Sequence, residues 1–225
     1  MRLEPMFSVF FSSLLMPMLC SDSDYDDYEG EDEVTLPVTI NNQTKKPTQK
    51  GIDGTVYSIE EFLNTTDKIW VYNSTRKSNI TCSVDVTSDV NMLYANVTRY
   101  YLSDGRIQNH SAKAQFLIHP LLATNDDPYN EMKMENEGNN NPFETLLYMS
   151  PKKDCGVFYI NYHAELDLFA GAWFELRLWN STLHQGPEER CSEMFKQFST
   201  VQGISYNYTP ACQCILPYLA QISQE

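Results

Sequence analysis

The sequence predicts an all-β protein whose folded part is an eight-stranded antiparallel barrel, with a short N-terminal helix and a C-terminal helix packed on the barrel wall. From residue 68 onward, eight short segments are rich in β-branched and aromatic residues. Gly, Pro, Asn and Asp separate these segments, as expected for strands joined by tight turns. No connection between them is long enough for the repeated crossover helices that a parallel sheet requires.

The elements follow in chain order. The first is a helix over Tyr57–Thr66, because YSIEEFLNTT has apolar residues at helical spacing and two glutamates in its first turn. The eight strands are predicted at Lys68–Ser74, Ile80–Thr87, Ala95–Ser103, Ala112–Ile118, Glu131–Asn136, Phe143–Met149, Cys155–Tyr162 and Ala172–Asn180.

A second helix is predicted over Pro187–Phe198, where Pro187 suits the first turn and four apolar residues form a stripe. We expect the tail after Gly203 to be extended.

The sequence divides into three regions, of which only the last forms the barrel. Residues 1–20 have a basic start and an apolar run too short to span a bilayer, which predicts a signal peptide. Residues 21–54 read as a disordered acidic tail and linker, because SDSDYDDYEGEDE repels itself and has almost nothing to bury. Residues 55–225 form the barrel domain.

Asparagine sequons are abundant, and they predict a secreted, extracellular glycoprotein. The eight sites are Asn42, Asn64, Asn73, Asn79, Asn96, Asn109, Asn180 and Asn207. Removal of Cys20 with the signal peptide would leave five cysteines, which in an oxidising compartment predicts two disulfides and one remaining thiol. The net charge of −14 argues against nucleic acid or an anionic membrane as a partner.

The sequons also fix the phase of the strands, because successive side chains alternate between the two faces. If Asn79 faces outward, Asp85 faces outward too, and the residues that face the barrel interior are Ile80, Cys82, Val84 and Val86. If Asn96 faces outward, the residues that face the interior are Val97, Arg99 and Tyr101. If Asn180 faces outward, the residues of its strand that face the interior are Trp173, Glu175, Arg177 and Trp179. The apolar residues left outside on this last strand need a cover, for which the Pro187–Phe198 helix is the candidate.

Several stretches resemble one family, the tick salivary lipocalins, whose best-known members are histamine-binding proteins. The matching pieces are YSIEEFLNTTDKIWVY, ITCSVDV, KKDCGVFYI, AWFELRLW, RCSEMFKQF and YTPAC, in order from Tyr57 to Cys212. The resemblance implies a lipocalin calyx that holds a small mediator, either a biogenic amine such as histamine or an eicosanoid lipid. It also implies the disulfides Cys82–Cys212 and Cys155–Cys191. Cys214 would then be free, replace Cys212, or link two chains as a dimer.

Glu175 matches a family position that supplies a carboxylate to a bound amine. The other predicted ligand-binding residues are Arg99, Arg177, Tyr101, Trp70, Tyr72, Trp173 and Trp179. One carboxylate beside two guanidinium groups suits a cation poorly, because Glu175 would pair with arginine first. The same groups suit the carboxylate of an amphipathic lipid, or they form a structural pair without a ligand.

The acidic tail supports an alternative function. Tyr25 and Tyr28 lie among carboxylates and are candidates for sulfation. A polyanionic arm of this kind would steer the protein towards a basic host protein, such as a chemokine or a coagulation protease. The other interpretation is a solvated spacer.

No motif predicts an enzyme, a metal site or a cofactor. His163-Ala-Glu165 with Cys212 and Cys214 is similar to a zinc deaminase signature, but its two cysteines are one residue too close together. The four histidines lack the i, i+4 spacing of a metal-binding helix.

Overall fold

The computed structural model describes residues 54–135, 141–162 and 171–217. The predicted signal peptide and nearly all of the predicted acidic tail and linker lie outside the described residues, as do Tyr25, Tyr28 and Asn42. His163 and Glu165 of the deaminase-like motif also lie outside them.

Eight antiparallel strands close into a barrel. Helix α1 covers Ile59–Leu63, and the strands that follow are β1 Ile69–Ser74, β2 Ile80–Ser88, β3 Tyr94–Ser103, β4 Arg106–Leu117, β5 Glu131–Glu135, β6 Phe143–Met149, β7 Cys155–Asn161 and β8 Trp173–Trp179. Each strand pairs with the next along the chain, and β1 pairs with both β8 and β2 to close the sheet. A short 3-10 helix (Asn180–Thr182), helix α2 (Glu189–Ser199), a two-residue strand β9 (Tyr206–Asn207) and a second 3-10 helix (Pro210–Ile215) complete the elements of the described residues.

Helix α1 closes one end of the barrel. Ser58 caps the helix by accepting a hydrogen bond from the Glu61 amide at 3.2 Å. The apolar face of α1 packs onto inward-facing residues from that half of the strands, among them Ile69, Val97, Phe116, Met132, Leu146 and Phe158. This half of the barrel is therefore a packed core, and the open space inside the barrel lies towards the other end.

Helix α2 packs on the outer wall. Met194 and Phe195 from the helix are buried against Phe174, Leu176 and Leu178 of β8. The Cys155–Cys191 disulfide links β7 to α2 across the same contact. The predicted cover for the apolar outer face of β8 is confirmed.

A second outer layer covers β1 and β2. The Cys82–Cys212 disulfide joins β2 to the 3-10 helix near the C-terminus. Trp70, Val84 and Tyr100 are buried beneath this helix with Ile215. Both disulfides implied by the resemblance are thus present. Cys214 is disulfide-bonded as well, so the free-thiol alternative and the replacement of Cys212 by Cys214 are both wrong.

Several predicted boundaries differ from the structure. The first helix ends at Leu63 rather than Thr66. Strand β4 begins at Arg106 rather than Ala112, because Asp104 and Gly105 both have positive φ and make a two-residue hairpin turn. The tail is not extended throughout, since Pro210–Ile215 is a 3-10 helix. Within the described ranges, no helix is both long and apolar enough to cross a membrane.

Candidate ligand-binding site

A bulge in β2 determines which of its residues face the barrel interior. The register between β2 and β3 shifts between Thr81 and Val84, and Cys82 has a φ of 52°, in the left-handed region. The bulge reverses the phase that Asn79 predicts for the rest of the strand. Cys82, Val84 and Val86 therefore lie on the outer face, and Asp85 points into the barrel, which corrects the prediction for all four residues.

Arg99 on β3 binds two carboxylates inside the barrel. Its Nε and Nη2 atoms donate to the two oxygens of Asp85 at 2.7 and 2.8 Å. Its Nη1 and Nη2 atoms donate to the two oxygens of Glu144 on β6 at 2.8 and 3.1 Å. Such paired contacts fix the guanidinium in one orientation.

Arg177 on β8 extends this cluster. Its Nη2 atom lies 2.6 Å from Glu144 Oε2 and 2.6 Å from Glu175 Oε2. Trp173 donates its indole N–H to the other oxygen of Glu175 at 2.9 Å. The guanidinium lies 4.3 Å over the ring of Phe158, so the apolar core forms the floor beneath the charged cluster.

The pKa shifts show that the ion pairs outweigh the cost of burial. Burial alone would raise the pKa of Glu144, but the charges of Arg177 and Arg99 lower it to about 2. Burial alone would lower the pKa of Arg99, but Asp85 and Glu144 leave it raised. The pKa of Arg177 is raised in the same way, chiefly by Glu144 and Glu175.

The cluster contains more negative than positive charge. Three carboxylates, Asp85, Glu144 and Glu175, face two guanidinium groups, those of Arg99 and Arg177. Its formal charge is therefore −1. The expectation of one carboxylate against two arginines was wrong, because it missed Asp85 and Glu144.

A cavity of about 220 Å³ opens above the cluster, at the end of the barrel opposite α1. Arg99 and Glu175 form its charged floor. The rest of its wall comes from Arg76 and His110, from three tyrosines, and from small polar or aliphatic residues. The tyrosines are Tyr101, Tyr162 and Tyr206.

Tyr206 is held in the cavity wall by the C-terminal segment. The first half of β1 pairs with β2, whereas Asn73 and Ser74 pair with β9, which carries Tyr206. The Cys82 amide donates to the Tyr206 hydroxyl at 3.1 Å, and Cys212 Sγ lies 3.3 Å from the same oxygen. Burial, together with the charges of Tyr208 and Glu175, raises the pKa of Tyr206 to about 12, so the phenol stays neutral. The Cys82–Cys212 disulfide therefore supports both the bulge and one wall of the cavity.

The structure brings together only part of the predicted ligand set. Glu175, Arg99 and Tyr101 line the cavity, and Arg177 and Trp173 contact Glu175 beside it.

Three predicted wall residues lie elsewhere. Trp70 and Tyr72 are on the outer face of β1, where both pack against Tyr208. They face outward because Ile69 and Val71, their neighbours in the alternating pattern, take the inner face. Trp179 packs against Phe62 near α1, far along the barrel from the cavity.

Sequence reasoning missed four important groups: Arg76, Asp85, Glu144 and Tyr206. Glu144 had a usable signal, because it is the one charged residue in the strand FETLLYM. Asp85 had none, since its orientation depends on a bulge whose positive-φ residue is a cysteine rather than a glycine. Tyr206 comes from the tail and depends on a disulfide that joins residues 130 positions apart.

The seven sequon asparagines in the described part of the chain are compatible with glycan attachment. Asn64, Asn79, Asn109 and Asn207 are exposed, and Asn73, Asn96 and Asn180 are partly exposed. Asn73 and Asn207 face each other across β1 and β9, where their side chains share a hydrogen bond. Occupancy of these sites stays a prediction.

No model of a known protein family and no curated protein sequence matches this chain. Solved structures do match. One is the crystal structure of AM182 in complex with serotonin, at 14% identity and a TM-score of 0.51, covering 70% of this chain and 94% of that chain. The fold is a lipocalin fold.

Two further structures are similar at lower scores. The siderocalin Ex-FABP, described as having dual ligand specificities, has 11% identity and a TM-score of 0.44, with 68% of this chain and 91% of that chain covered. A dog lipocalin allergen has 17% identity and a TM-score of 0.38, with 62% and 83% covered. At these identities the likeness concerns the fold, so membership in the tick salivary family stays a prediction.

Proposed function

We propose that this protein binds and sequesters a small aromatic amine in the cavity of its lipocalin barrel. The observation that carries the proposal is the buried cluster of formal charge −1 at the floor of the 220 Å³ cavity. An ammonium group beside Glu175 would neutralise the cluster, whereas an anionic ligand would double its charge. Buried charges are costly unless they are paired, so the floor favours a cation.

The dimensions of the cavity favour an amine over an eicosanoid. Sites for drug-sized ligands usually enclose about 300–1,000 Å³, and this cavity encloses about 220 Å³. Below the cluster the barrel is filled by its own core, including Phe158 and Leu146. Among the described residues, a long acyl chain therefore has no apolar channel below the cluster, whereas a single aromatic ring on an ethylamine tail fits the available space.

The tyrosines in the wall suit the same ligand. Tyr101 and Tyr206 offer aromatic surface to a ring and to an ammonium group, which aromatic faces attract. AM182, which shares the fold, is crystallised with serotonin, an amine of this kind.

Sequestration requires that the protein reach its ligand outside the cell. Two disulfides in the described residues are typical of oxidising compartments. The apolar N-terminus and the eight sequons support the same location.

Isothermal titration of the secreted protein with tyramine, histamine, serotonin and arachidonate tests this function. We expect one-to-one binding of at least one amine and no saturable binding of arachidonate. Glu175→Gln should weaken amine binding by about 10- to 100-fold, the value of a hydrogen bond to a charged group.

Glu193→Gln is the matched control, because Glu193 lies on the exposed face of α2 and pairs with Arg190 at the surface. It should leave binding unchanged. Equal amine affinity in the wild type and Glu175→Gln, with both proteins folded, would contradict the proposed site. Saturable arachidonate binding without any amine binding would contradict it as well.

A further inference from the structure

Arg76 lies at the mouth of the cavity, directly after β1. Its side chain lines both the 220 Å³ cavity and a neighbouring open groove of about 570 Å³. Its guanidinium carbon lies 4.6 Å from the ring centroid of Trp173, the residue whose indole N–H is bonded to Glu175. Arg76 is therefore a cation shared by the proposed ligand site and the open groove beside it.

Hydrogen bonds hold the backbone of Arg76, whereas the N–H groups at the edge of its guanidinium can still donate to a ligand. The Arg76 amide donates to Ser74 Oγ at 3.0 Å, and the Arg76 carbonyl accepts from the Ser205 hydroxyl at 2.6 Å. Within residues 54–135, 141–162 and 171–217, the guanidinium has no carboxylate within ion-pair distance. A guanidinium that stacks by its face keeps N–H donors at its edge for another partner.

The charges therefore have opposite signs at the two ends of the cavity. The floor cluster around Glu175 has a formal charge of −1, and Arg76 at the mouth contributes +1. The other titratable side chains on the wall are His110 and three tyrosines. This arrangement suits a ligand with a positive charge at one end and an anionic or hydrogen-bond-accepting group at the other. It suits a ligand that has only a positive charge less well.

We infer that Arg76 is a specificity-determining residue that binds an acceptor or anionic group on the ligand's far end. The ligand class is then an arylethylamine whose ring has a hydroxyl, a sulfate or a similar acceptor opposite its ammonium group. This inference rests on the proposed amine site at Glu175. It adds a second recognition point, which a floor cluster alone would not supply.

A series of three ligands that differ only at the far end of the ring tests the inference. Phenethylamine has no substituent there, tyramine has a hydroxyl, and tyramine O-sulfate has an anion. Each is titrated calorimetrically against the full-length wild type, Arg76→Met and Lys77→Met. Lys77 is the matched control, because it is an exposed neighbouring cation that does not line the 220 Å³ cavity.

The wild type should bind tyramine O-sulfate about 10- to 100-fold more tightly than phenethylamine, with tyramine between them, because a charge-assisted hydrogen bond is gained. Arg76→Met should reduce this preference to within about threefold and bind phenethylamine at least as tightly as the wild type, because a repelling cation is removed. Lys77→Met should keep the wild-type preference.

The titrations separate a wrong role for Arg76 from a wrong amine site. If phenethylamine binds the wild type but the three ligands bind equally, or if Arg76→Met keeps the full preference, the role of Arg76 is overturned. If none of the three ligands binds the wild type but histamine or serotonin does, only the role of Arg76 is overturned. If none of these five amines binds the wild type, the amine site itself is wrong and the inference falls with it.

Discussion

Replacing Glu144 with glutamine removes the carboxylate that joins the two arginines of the buried cluster. Glu144 is completely buried, and both Arg99 and Arg177 bind it. Its pKa is lowered to about 2 because its interaction with the two guanidinium groups outweighs the cost of burial. The substitution keeps the shape of the side chain and removes its charge.

The size of the effect follows from the pKa. A carboxyl pKa that falls from 4.5 in the unfolded chain to about 2 in the folded protein corresponds to about 3 kcal/mol of folding stability. Because the folded pKa is the lower one, this stabilisation is complete above pH 4.5 and is lost as the pH falls towards 2. Loss of one partner of a buried ion pair typically costs about 3–5 kcal/mol, which agrees in magnitude.

Urea unfolding of the wild type and Glu144→Gln, followed by tryptophan fluorescence, measures this effect. At pH 7 the variant should be less stable by about 3 kcal/mol. The difference should shrink as the pH is lowered from 4.5 towards 2, the interval in which the wild type itself loses the contribution. Glu193→Gln, which breaks a surface pair with Arg190, should change stability by less than about 1 kcal/mol.

Two outcomes would refute this reasoning. One is a Glu144→Gln variant that loses less than about 1 kcal/mol at pH 7, no more than a typical surface pair. The other is a loss of the same size at pH 3 and pH 7, which would mean that the carboxylate charge does not stabilise the fold.

Two further predictions concern a disulfide and a second buried carboxylate. Replacing Cys82 and Cys212 together by serine should destabilise the fold by about 2–4 kcal/mol and should also weaken tyramine binding, because this disulfide supports the cavity wall. Replacing Cys155 and Cys191, which link α2 to the outer wall, should lower only the stability. Calorimetry and urea unfolding separate the two effects, and equal tyramine affinity in both variants would contradict the assigned role. Burial raises the pKa of Glu131, so folding favours its protonated form and stability falls as the pH rises through that pKa. Glu131→Gln should therefore unfold at higher urea than the wild type at pH 8 and at similar urea at pH 4, and a variant that is less stable at pH 8 would refute the assignment.

The sequence predicted the architecture because each strand carries its own signal. The β-branched and aromatic composition of the strands, the alternation in ELRLW, turn residues such as Asp104-Gly105, and the apolar stripe of α2 are all local properties. The sequon at Asn180 alone predicted that Glu175 and Arg177 of β8 face the barrel interior, and the ion pair between them inside the barrel confirms it.

The charge of the site could not be predicted in the same way. It depends on the positive φ of Cys82, which reverses the phase of β2 and turns Asp85 inward. It also depends on pairings between distant strands that bring Glu144 next to both arginines. Neither feature has a periodic signal, so counting one carboxylate against two guanidinium groups gave the wrong sign for the floor of the cavity.

A crystal structure of the protein with saturating tyramine would show whether the buried carboxylates bind an ammonium group. We expect one tyramine in the cavity, with its nitrogen within about 3 Å of a Glu175 oxygen and its ring between Tyr101 and Tyr206. A cavity without tyramine under these conditions, or a tyramine whose nitrogen points away from the carboxylates, would contradict it.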